Sequence, residues 1–311
     1  MQSTVASEAT NSSGAVTGSE RWGGIPSLKL NDGYEIPLLA YGLGTARSRD
    51  ESEKIIELTV MAIKNGYHHL DGAQSYRNET ELGAAIKRSG VPRDKLFVTT
   101  KLQSTHTDVA GAFASSLARL DLAYVDLYLI HSPFGASSPS QLQETWAALE
   151  AIQASGKARS IGVSNFSTSD LATVLATARV VPAVNQIEYH PYLQHGPDGL
   201  LAFCRERGIA VAAYGPLTAV TRARPGPCDD VYVALARRHG VSEALVALRW
   251  CVDQDVVAVT TSANEARLSG YVAALPTFRL SAEEIEEIGA AGEKRHFRGY
   301  WTNMFAADDR R

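Results

Sequence analysis

Short apolar runs alternate with longer amphipathic segments along nearly all of the chain after residue 26. Several runs are apolar at almost every position, a pattern typical of parallel strands that are buried on both faces. The runs are Pro37–Leu43, His68–Leu70, Leu96–Thr100, Val125–Ile130, Ser160–Val163, Ala183–Glu188, Ala210–Tyr214 and Val256–Thr260. They predict eight strands of a parallel sheet.

The segments between these runs repeat apolar residues at helical spacing. They are Asp50–Asn65, Glu79–Arg88, Val109–Leu120, Gln141–Ser155, Ser169–Ala178, Gly199–Arg207 and Ala244–Val252. Two stretches, Ser167–Asp170 and Ser281–Glu284, fit the helix-start signal of a capping serine with an acidic residue three positions later. Glycines stand where the helical patterns stop, as C-cap residues do, at Gly66, Gly90, Gly156, Gly208 and Gly240.

Regular alternation of strand and helix indicates either an open doubly wound sheet or a closed barrel. An open dinucleotide-binding sheet carries G-x-G-x-x-G after its first strand. Here Gly42 and Gly44 have no third glycine at the required spacing. The pattern therefore favours a (β/α)8 TIM barrel, in the α/β class, as a single domain over residues 27–311. Asn31-Asp32-Gly33 predicts a β-hairpin that caps the amino-terminal mouth of this barrel.

Composition excludes several other classes of protein. A formal net charge of −4 offers no broad basic face for nucleic acid. Residues 1–26 are rich in small polar residues, lack the features of a signal peptide, and are predicted to be a disordered leader. No apolar run reaches ~18 residues, so no membrane span is predicted. Three scattered cysteines, Cys204, Cys228 and Cys251, are typical of reduced thiols in a cytoplasmic protein.

Residues with acid–base chemistry follow three successive apolar runs. Asp71 comes after the second run with Tyr76 five residues later, Lys101 ends the third, and His131 follows the fourth. In a barrel, the carboxyl ends of the strands share one mouth. Taken singly, these residues have ordinary structural interpretations, such as a solvated lysine, a hydrogen-bonded histidine or a helix-capping aspartate. Together they predict one acid catalyst.

The chemistry of that set follows from the tyrosine. A tyrosine hydroxyl has a pKa of about 10, and a nearby ammonium favours the phenolate. Lys101 is therefore predicted to lower the pKa of Tyr76 and make it a better proton donor. Asp71 would hold Lys101 and compensate its burial, and His131 would orient the substrate oxygen. No cluster of His, Asp or Glu has metal-ligand spacing, so no metal site is predicted.

Several motifs in order make the chain resemble an aldo-keto reductase, from about Leu28 to the last helix. They are Asp71 with Tyr76-Arg77-Asn78-Glu79, Thr100-Lys101-Leu102, Leu129-Ile130-His131-Ser132-Pro133, Gly162-Val163-Ser164-Asn165-Phe166 and Asn185-Gln186-Ile187-Glu188-Tyr189-His190-Pro191. The resemblance implies an NADPH-dependent oxidoreductase that reduces a ketone or aldehyde. A hydride would pass from the nicotinamide C4 to the carbonyl carbon, and Tyr76 would deliver the proton.

The resemblance also implies where the cofactor binds. The carboxamide and the nicotinamide ring would contact Ser164, Asn165, Gln186 and Tyr214. The nicotinamide ribose would lie near Thr45 and Asp71, and the pyrophosphate along Gly215, Pro216 and Leu217. The adenosine end would be held by the segment after the last strand, at Thr260, Thr261, Ser262, Asn264 and Arg267.

The chain departs from the family pattern in two places. Thr261 stands where many relatives carry a lysine on the 2′-phosphate, which leaves Arg267 to bind that phosphate by bidentate contact. The Val259–Ser262 form resembles a fungal branch that reduces α-keto amides, conjugated polyketones and ketopantoyl lactone, so NADPH is favoured over NADH. Ala46 and Ser132 replace tryptophans of many relatives, which predicts a wider substrate pocket.

Residues 294–301 mix aromatic and basic side chains. They would form a nucleic-acid patch, pack Trp301 on the barrel exterior, or fold over the pocket so that Tyr300 or Trp301 shapes specificity. The net charge disfavours the first interpretation and the other two stay open, with Trp301 counted among the predicted pocket residues. The substrate is expected to be a neutral carbonyl compound, and the resemblance implies that the protein is a monomer.

Two alternative functions stay open at this point. One is a cofactor-binding regulatory or interaction subunit of the same fold, and the other is an alcohol or polyol dehydrogenase that runs in the oxidative direction. The intact set of four catalytic residues weighs against the regulatory subunit.

Overall fold

The computed structural model describes residues 17–18, 20–44, 47, 49–103, 107–196, 199–306 and 308–310. Thr45 and Ala46, predicted to contact the cofactor and the substrate, lie outside the described residues, as does most of the predicted leader.

Three short antiparallel strands precede the barrel, namely β1 (Thr17–Gly18), β2 (Pro26–Lys29) and β3 (Glu35–Pro37). β2 and β3 form the predicted hairpin, and Gly33 in its turn has a positive φ of 91°. The Asn31 side chain donates a hydrogen bond of 3.0 Å to the carbonyl of Pro182, just before a barrel strand begins at Val184. The hairpin therefore lies at the amino-terminal mouth, which confirms the prediction.

Trp22 shows that packing against the barrel begins upstream of the predicted boundary at residue 26. Its side chain is completely buried, with its ring 6.0 Å from that of His68 and the Arg21 guanidinium 4.3 Å from its centroid. A large indole gains free energy when it leaves water, and His68 at the edge of the barrel provides the contact surface.

Eight parallel strands close the barrel, each hydrogen-bonded to its neighbours in chain order, and the last pairs with the first. They are β4 (Leu39–Gly42), β5 (His69–Asp71), β6 (Phe97–Leu102), β7 (Val125–Ile130), β8 (Ala158–Ser164), β9 (Val184–Glu188), β10 (Ala210–Tyr214) and β11 (Val256–Thr260). Every residue of β6, β7, β9 and β11 is buried, as their apolar runs predict. All eight predicted strands are present, and the (β/α)8 barrel is confirmed.

Helices surround the barrel. Those in the described residues are α1 (Ser52–Lys64), α2 (Glu79–Ser89), α3 (Val109–Leu120), α4 (Pro139–Ala154), α5 (Thr168–Leu175), α6 (Leu200–Glu206), α7 (Asp229–His239), α8 (Glu243–Val252), α9 (Glu265–Ala274) and α10 (Ala282–Glu293). The predicted serine-acid capping boxes begin α5 and α10, and all five predicted C-cap glycines have positive φ. Within this part of the chain, no helix is long and apolar enough to cross a lipid bilayer.

The sequence pattern gave no range for α7, although Gly240 marked its end, and it did not single out α9. α9 buries only Leu268 and Tyr271, and α7 buries three residues between acidic and basic ends. The narrow apolar stripe of α9 gives weak helical periodicity, so tertiary packing completes this helix.

Buried histidines, among them His69 and His195, make stability depend on pH. Burial, as the main cause, lowers the pKa of both His69 and His195 to about 4. Below the ordinary value of 6.5 the unfolded chain binds protons that the folded chain excludes. We expect the free energy of unfolding to fall as the pH drops from 6.5 towards 4, by about 1.4 kcal/mol per pH unit for each histidine. Urea unfolding across this range measures the slope.

The matched variant is His69→Gln, because an amide can still contact the Pro37 carbonyl and the Thr99 hydroxyl that flank this ring. It should reduce the slope by the contribution of one histidine. Equal slopes in the parent and the variant would contradict this prediction.

Candidate active site

A cavity of about 600 Å3 opens at the carboxyl ends of the barrel strands, a volume within the usual range of small-ligand pockets. Most of the predicted site residues line it. They are Asp71, Tyr76, His131, Ser164, Asn165, Gln186, Tyr214, Gly215, Pro216, Leu217, Thr260, Thr261 and Trp301. The structure thus brings together residues from strands that are far apart in sequence.

Lys101 lies directly behind the cavity, completely buried. Its Nζ donates to Asp71 Oδ1 at 2.6 Å and to the Gly72 carbonyl at 2.9 Å, and it lies 3.5 Å from Tyr76 Oη. Strand register explains this contact. Asp71 on β5 pairs with Thr99 on β6, and Lys101 points to the same side as Thr99, two residues along the strand.

Tyr76 reaches the cavity from a single 3-10 turn, Gln74–Tyr76, that follows β5. Arg77 ends this turn in the left-handed conformation, with φ of 57°. Gly44 lies against the tyrosine ring, where an added Cβ would be 3.1 Å from Tyr76 Cζ. A side chain at position 44 would therefore require the tyrosine ring to shift by a few tenths of an ångström.

Burial and neighbouring charges have opposite effects on the pKa values of Tyr76 and Lys101. Burial raises the pKa of Tyr76 above its ordinary value, and the Lys101 ammonium only partly offsets that rise. Burial also acts to lower the pKa of Lys101, but Asp71 and Tyr76 outweigh it, so the net pKa is raised. The expectation of a lowered tyrosine pKa is therefore wrong in sign. Desolvation of the phenolate is the larger effect, and the hydroxyl keeps its proton at neutral pH.

His131 lies beside the tyrosine. Its ring packs edge-on at 5.5 Å from that of Tyr76, and its Nδ1 lies 3.0 Å from the Ser75 hydroxyl. Burial, followed by the charge of Lys101, lowers the pKa of His131 to about 3. The imidazole is therefore neutral at physiological pH and can offer one N–H as a hydrogen-bond donor.

A hydrogen-bond network joins the residues predicted for catalysis to those predicted for the cofactor. Gln186 Nε2 donates to Asp71 Oδ2 at 2.8 Å, so this carboxylate holds Gln186 as well as Lys101. Asn165 donates to the His131 carbonyl at 2.9 Å and accepts from the Tyr214 hydroxyl at 2.6 Å. These links cross the barrel mouth and fix the orientations of both amide side chains.

Other predicted residues lie away from the cavity. Ser132 is buried and is not part of the described cavity wall. Ser262, Asn264 and Arg267 lie at the start of α9, beyond the lining. There Ser262 Oγ accepts from the Asn264 N–H at 3.0 Å, and Asn264 caps the helix by accepting from the Arg267 N–H at 2.9 Å.

The wall also includes residues that the sequence analysis did not assign to the site. They are Gly42, Gly44, Ser75, Gln103, Thr218, Thr221, Arg222 and Val259. Tyr300, considered as an alternative to Trp301, lines the cavity beside it. Thr218–Arg222 directly follow the predicted pyrophosphate run, so their closeness in sequence was an available signal. Thr218–Val220 form a 3-10 helix.

The model of the aldo/keto reductase family matches residues 39–293, from the first barrel strand to the last helix. This chain belongs to the aldo/keto reductase family. The family, the barrel fold and the class of enzyme, an oxidoreductase, agree with the sequence predictions. No group of three or more His, Cys, Asp or Glu side chains that could hold a metal occurs in the described part of this reductase.

Two fungal relatives cover most of this reductase. It is 36% identical to the NAD/NADP-dependent indole-3-acetaldehyde reductase of Schizosaccharomyces pombe, over 88% of this chain and 97% of that one. It is also 36% identical to the NADPH-dependent alpha-keto amide reductase of Saccharomyces cerevisiae, over 89% and 94%. Among solved structures, the Bombyx mori aldo-keto reductase in complex with NADP superposes with a TM-score of 0.76 at 34% identity, over 86% and 92%.

Proposed function

We propose that this reductase converts a neutral, activated carbonyl compound to an alcohol with NADPH, and that Tyr76 is the proton donor. One observation carries the proposal. A protonated tyrosine faces the cavity with a buried ammonium 3.5 Å from its hydroxyl and a neutral histidine ring 5.5 Å from its own ring.

The residues around the cavity fit a nicotinamide dinucleotide. Gly215 has a positive φ of 68°, and an added Cβ there would be 3.1 Å from both Thr218 Oγ1 and Tyr300 Cε2, so a larger residue would crowd this part of the wall. Thr218 lines the same region, and its buried hydroxyl has no hydrogen-bond partner among the described residues. A phosphate oxygen would satisfy that hydroxyl. Ser164, Asn165 and Gln186 supply the amide and hydroxyl groups that a carboxamide needs.

This geometry supports the catalytic roles that we propose for the four residues. When bound, the reduced nicotinamide supplies a hydride to the carbonyl carbon. Tyr76 donates its proton to the carbonyl oxygen as negative charge develops there, and Lys101 stabilises the resulting phenolate. Asp71 holds Lys101 in place, and the neutral His131 donates a hydrogen bond that orients the carbonyl oxygen.

We propose a neutral substrate because the arginine in the cavity wall is already engaged by other groups. The sequence placed no arginine or lysine in the pocket, whereas the structure places Arg222 in its wall. However, Arg222 donates to the Gly299 carbonyl at 3.2 Å and stacks on the Tyr300 ring at 4.7 Å. The two fungal relatives are named for indole-3-acetaldehyde and α-keto amides, which carry no required negative charge.

We infer a cytoplasmic enzyme, in keeping with the sparse cysteines, and a monomer, as the family resemblance implies. Neither the comparisons nor the described residues favour the regulatory subunit or the oxidative direction.

The test follows loss of reduced-nicotinamide absorbance with a panel of isatin, an α-keto amide, ketopantoyl lactone and a simple aldehyde. We expect turnover of the activated carbonyls, with a higher kcat/KM for NADPH than for NADH. Binding of NADPH without turnover of any compound on the panel would overturn the proposal and favour the regulatory subunit.

Preference for NADPH should depend on Arg267, which is exposed at the start of α9. A charge-assisted hydrogen bond contributes about 1.5–3 kcal/mol. Arg267→Ala should therefore raise the KM for NADPH by about 10- to 100-fold and change the KM for NADH little. Arg267→Lys keeps the charge without the bidentate geometry. Its KM for NADPH should lie between those of the parent and Arg267→Ala. Equal effects on both cofactors would show that Arg267 does not contact the 2′-phosphate.

A further inference from the structure

The C-terminal segment Gly299–Trp301 supplies two adjacent aromatic side chains to the cavity wall. Tyr300 lies against Gly215, on the side that we assign to the cofactor. Trp301 lies with its ring 6.2 Å from that of His131, on the side that we assign to the carbonyl compound. A single short segment therefore shapes both halves of the site.

One buried carboxylate holds this segment. Glu188, the last residue of β9, is only 1% exposed. Its Oε1 accepts from the Gly299 N–H at 2.7 Å, and its Oε2 accepts from the Tyr300 N–H at 3.1 Å. Hydrogen bonds to a charged acceptor are stronger than neutral ones. The two hydrogen bonds to Glu188 tie the C-terminal segment, which lies outside any helix or strand, to the rigid barrel.

His190 and Arg222 contact Glu188 or the C-terminal segment, but neither takes the place of Glu188 as acceptor of the two backbone N–H groups. His190 Nε2 lies 3.1 Å from Glu188 Oε1, and burial lowers the pKa of His190, so its ring stays neutral near pH 7. Arg222 binds the Gly299 carbonyl and the Tyr300 ring from the loop after β10. The two backbone N–H groups therefore remain direct partners of the carboxylate.

We propose that Glu188 is a positioning residue that sets both walls of the site by fixing the backbone of Gly299 and Tyr300. The cofactor side of this inference rests on the function proposed above. Because Tyr300 and Trp301 are consecutive, loss of the two hydrogen bonds moves both side chains. Cofactor affinity and carbonyl recognition then change together, although Glu188 touches neither ligand.

The test is Glu188→Gln in the full chain. Glutamine has nearly the same shape but only one acceptor oxygen, and its NH2 group faces a backbone N–H that then loses its partner. Hydrogen exchange should show lost protection at the amides of Gly299 and Tyr300. NADP+ binding, followed by protein fluorescence without a carbonyl compound, should weaken by about 10-fold. The KM for the carbonyl compound should rise similarly, with a smaller change in kcat.

Asp126→Asn is the matched control. This carboxylate is also buried and accepts a backbone N–H, that of Val98 at 2.9 Å, but it lies near the amino-terminal end of β7. Its variant should lose stability, keep the exchange protection of the C-terminal segment, and keep its affinity for NADP+. Equal losses in the Asp126 and Glu188 variants, or full protection in Glu188→Gln, would overturn the proposal.

Double-mutant cycles distinguish a positioning role of Glu188 from a general loss of structural order. If Glu188 acts through the segment, adding Glu188→Gln to Tyr300→Ala should weaken NADP+ binding little further, and adding it to Trp301→Ala should raise the carbonyl KM little further. Full additivity in both cycles would contradict the inference. If the parent chain binds no NADP+, the cofactor proposal fails, whereas the exchange measurement still decides whether Glu188 holds the segment.

Discussion

Tyr76→Phe is expected to lower kcat for carbonyl reduction by about two to four orders of magnitude, the usual contribution of a general acid. Phenylalanine keeps the ring against Gly44 and His131 and removes only the hydroxyl that lies 3.5 Å from Lys101 Nζ. Steady-state oxidation of NADPH with an α-keto amide measures the loss. The affinity for NADP+ should stay close to that of the parent, because no part of the proposed cofactor contact uses this hydroxyl.

Tyr67→Phe is the matched control for this experiment. Tyr67 is buried, and its hydroxyl has no hydrogen-bond partner in the described part of the chain. The same chemical change there should leave kcat unaltered. A Tyr76 variant as active as the parent would show that another group donates the proton.

Lys101→Met and Asp71→Asn are each expected to lower the free energy of unfolding by about 3–5 kcal/mol, because each leaves one buried partner uncompensated. The two groups are 2.6 Å apart, with side-chain exposures of 0% and 3%. Each variant should also lose activity, since Tyr76 no longer has a positioned ammonium beside it. Urea unfolding at neutral pH measures the stability of each variant.

The double variant distinguishes a coupled pair from two independent contacts. With both charges removed, no buried charge is left unpaired, so the double variant should be more stable than the sum of the single losses predicts. Since the pKa of Lys101 is raised, the stabilisation is fully present below its ordinary value of 10.5 and lost at higher pH. Strict additivity would mean that the ion pair contributes no coupling energy.

The linear sequence determined the framework of this protein and the catalytic set that we propose for it. Runs such as Val125–Ile130 are apolar at almost every position because a strand between helices and a barrel interior is buried on both faces. The start of α5 could be predicted because a capping box involves only residues close together in sequence, here Ser167 and Asp170. Asp71, Lys101 and His131 were found together because the carboxyl ends of parallel strands share one mouth.

Contacts between distant segments were decided only by the tertiary structure. Glu188 meets Gly299 and Gln186 meets Asp71, although more than 100 residues separate each pair along the chain. The sign of the pKa shift at Tyr76 was also invisible in the sequence. The Lys101 charge is apparent from the motif, but the larger effect of desolvation depends on how the folded chain encloses the ring. Local patterns report what each residue prefers, whereas burial and long-range hydrogen bonds exist only once the barrel has closed.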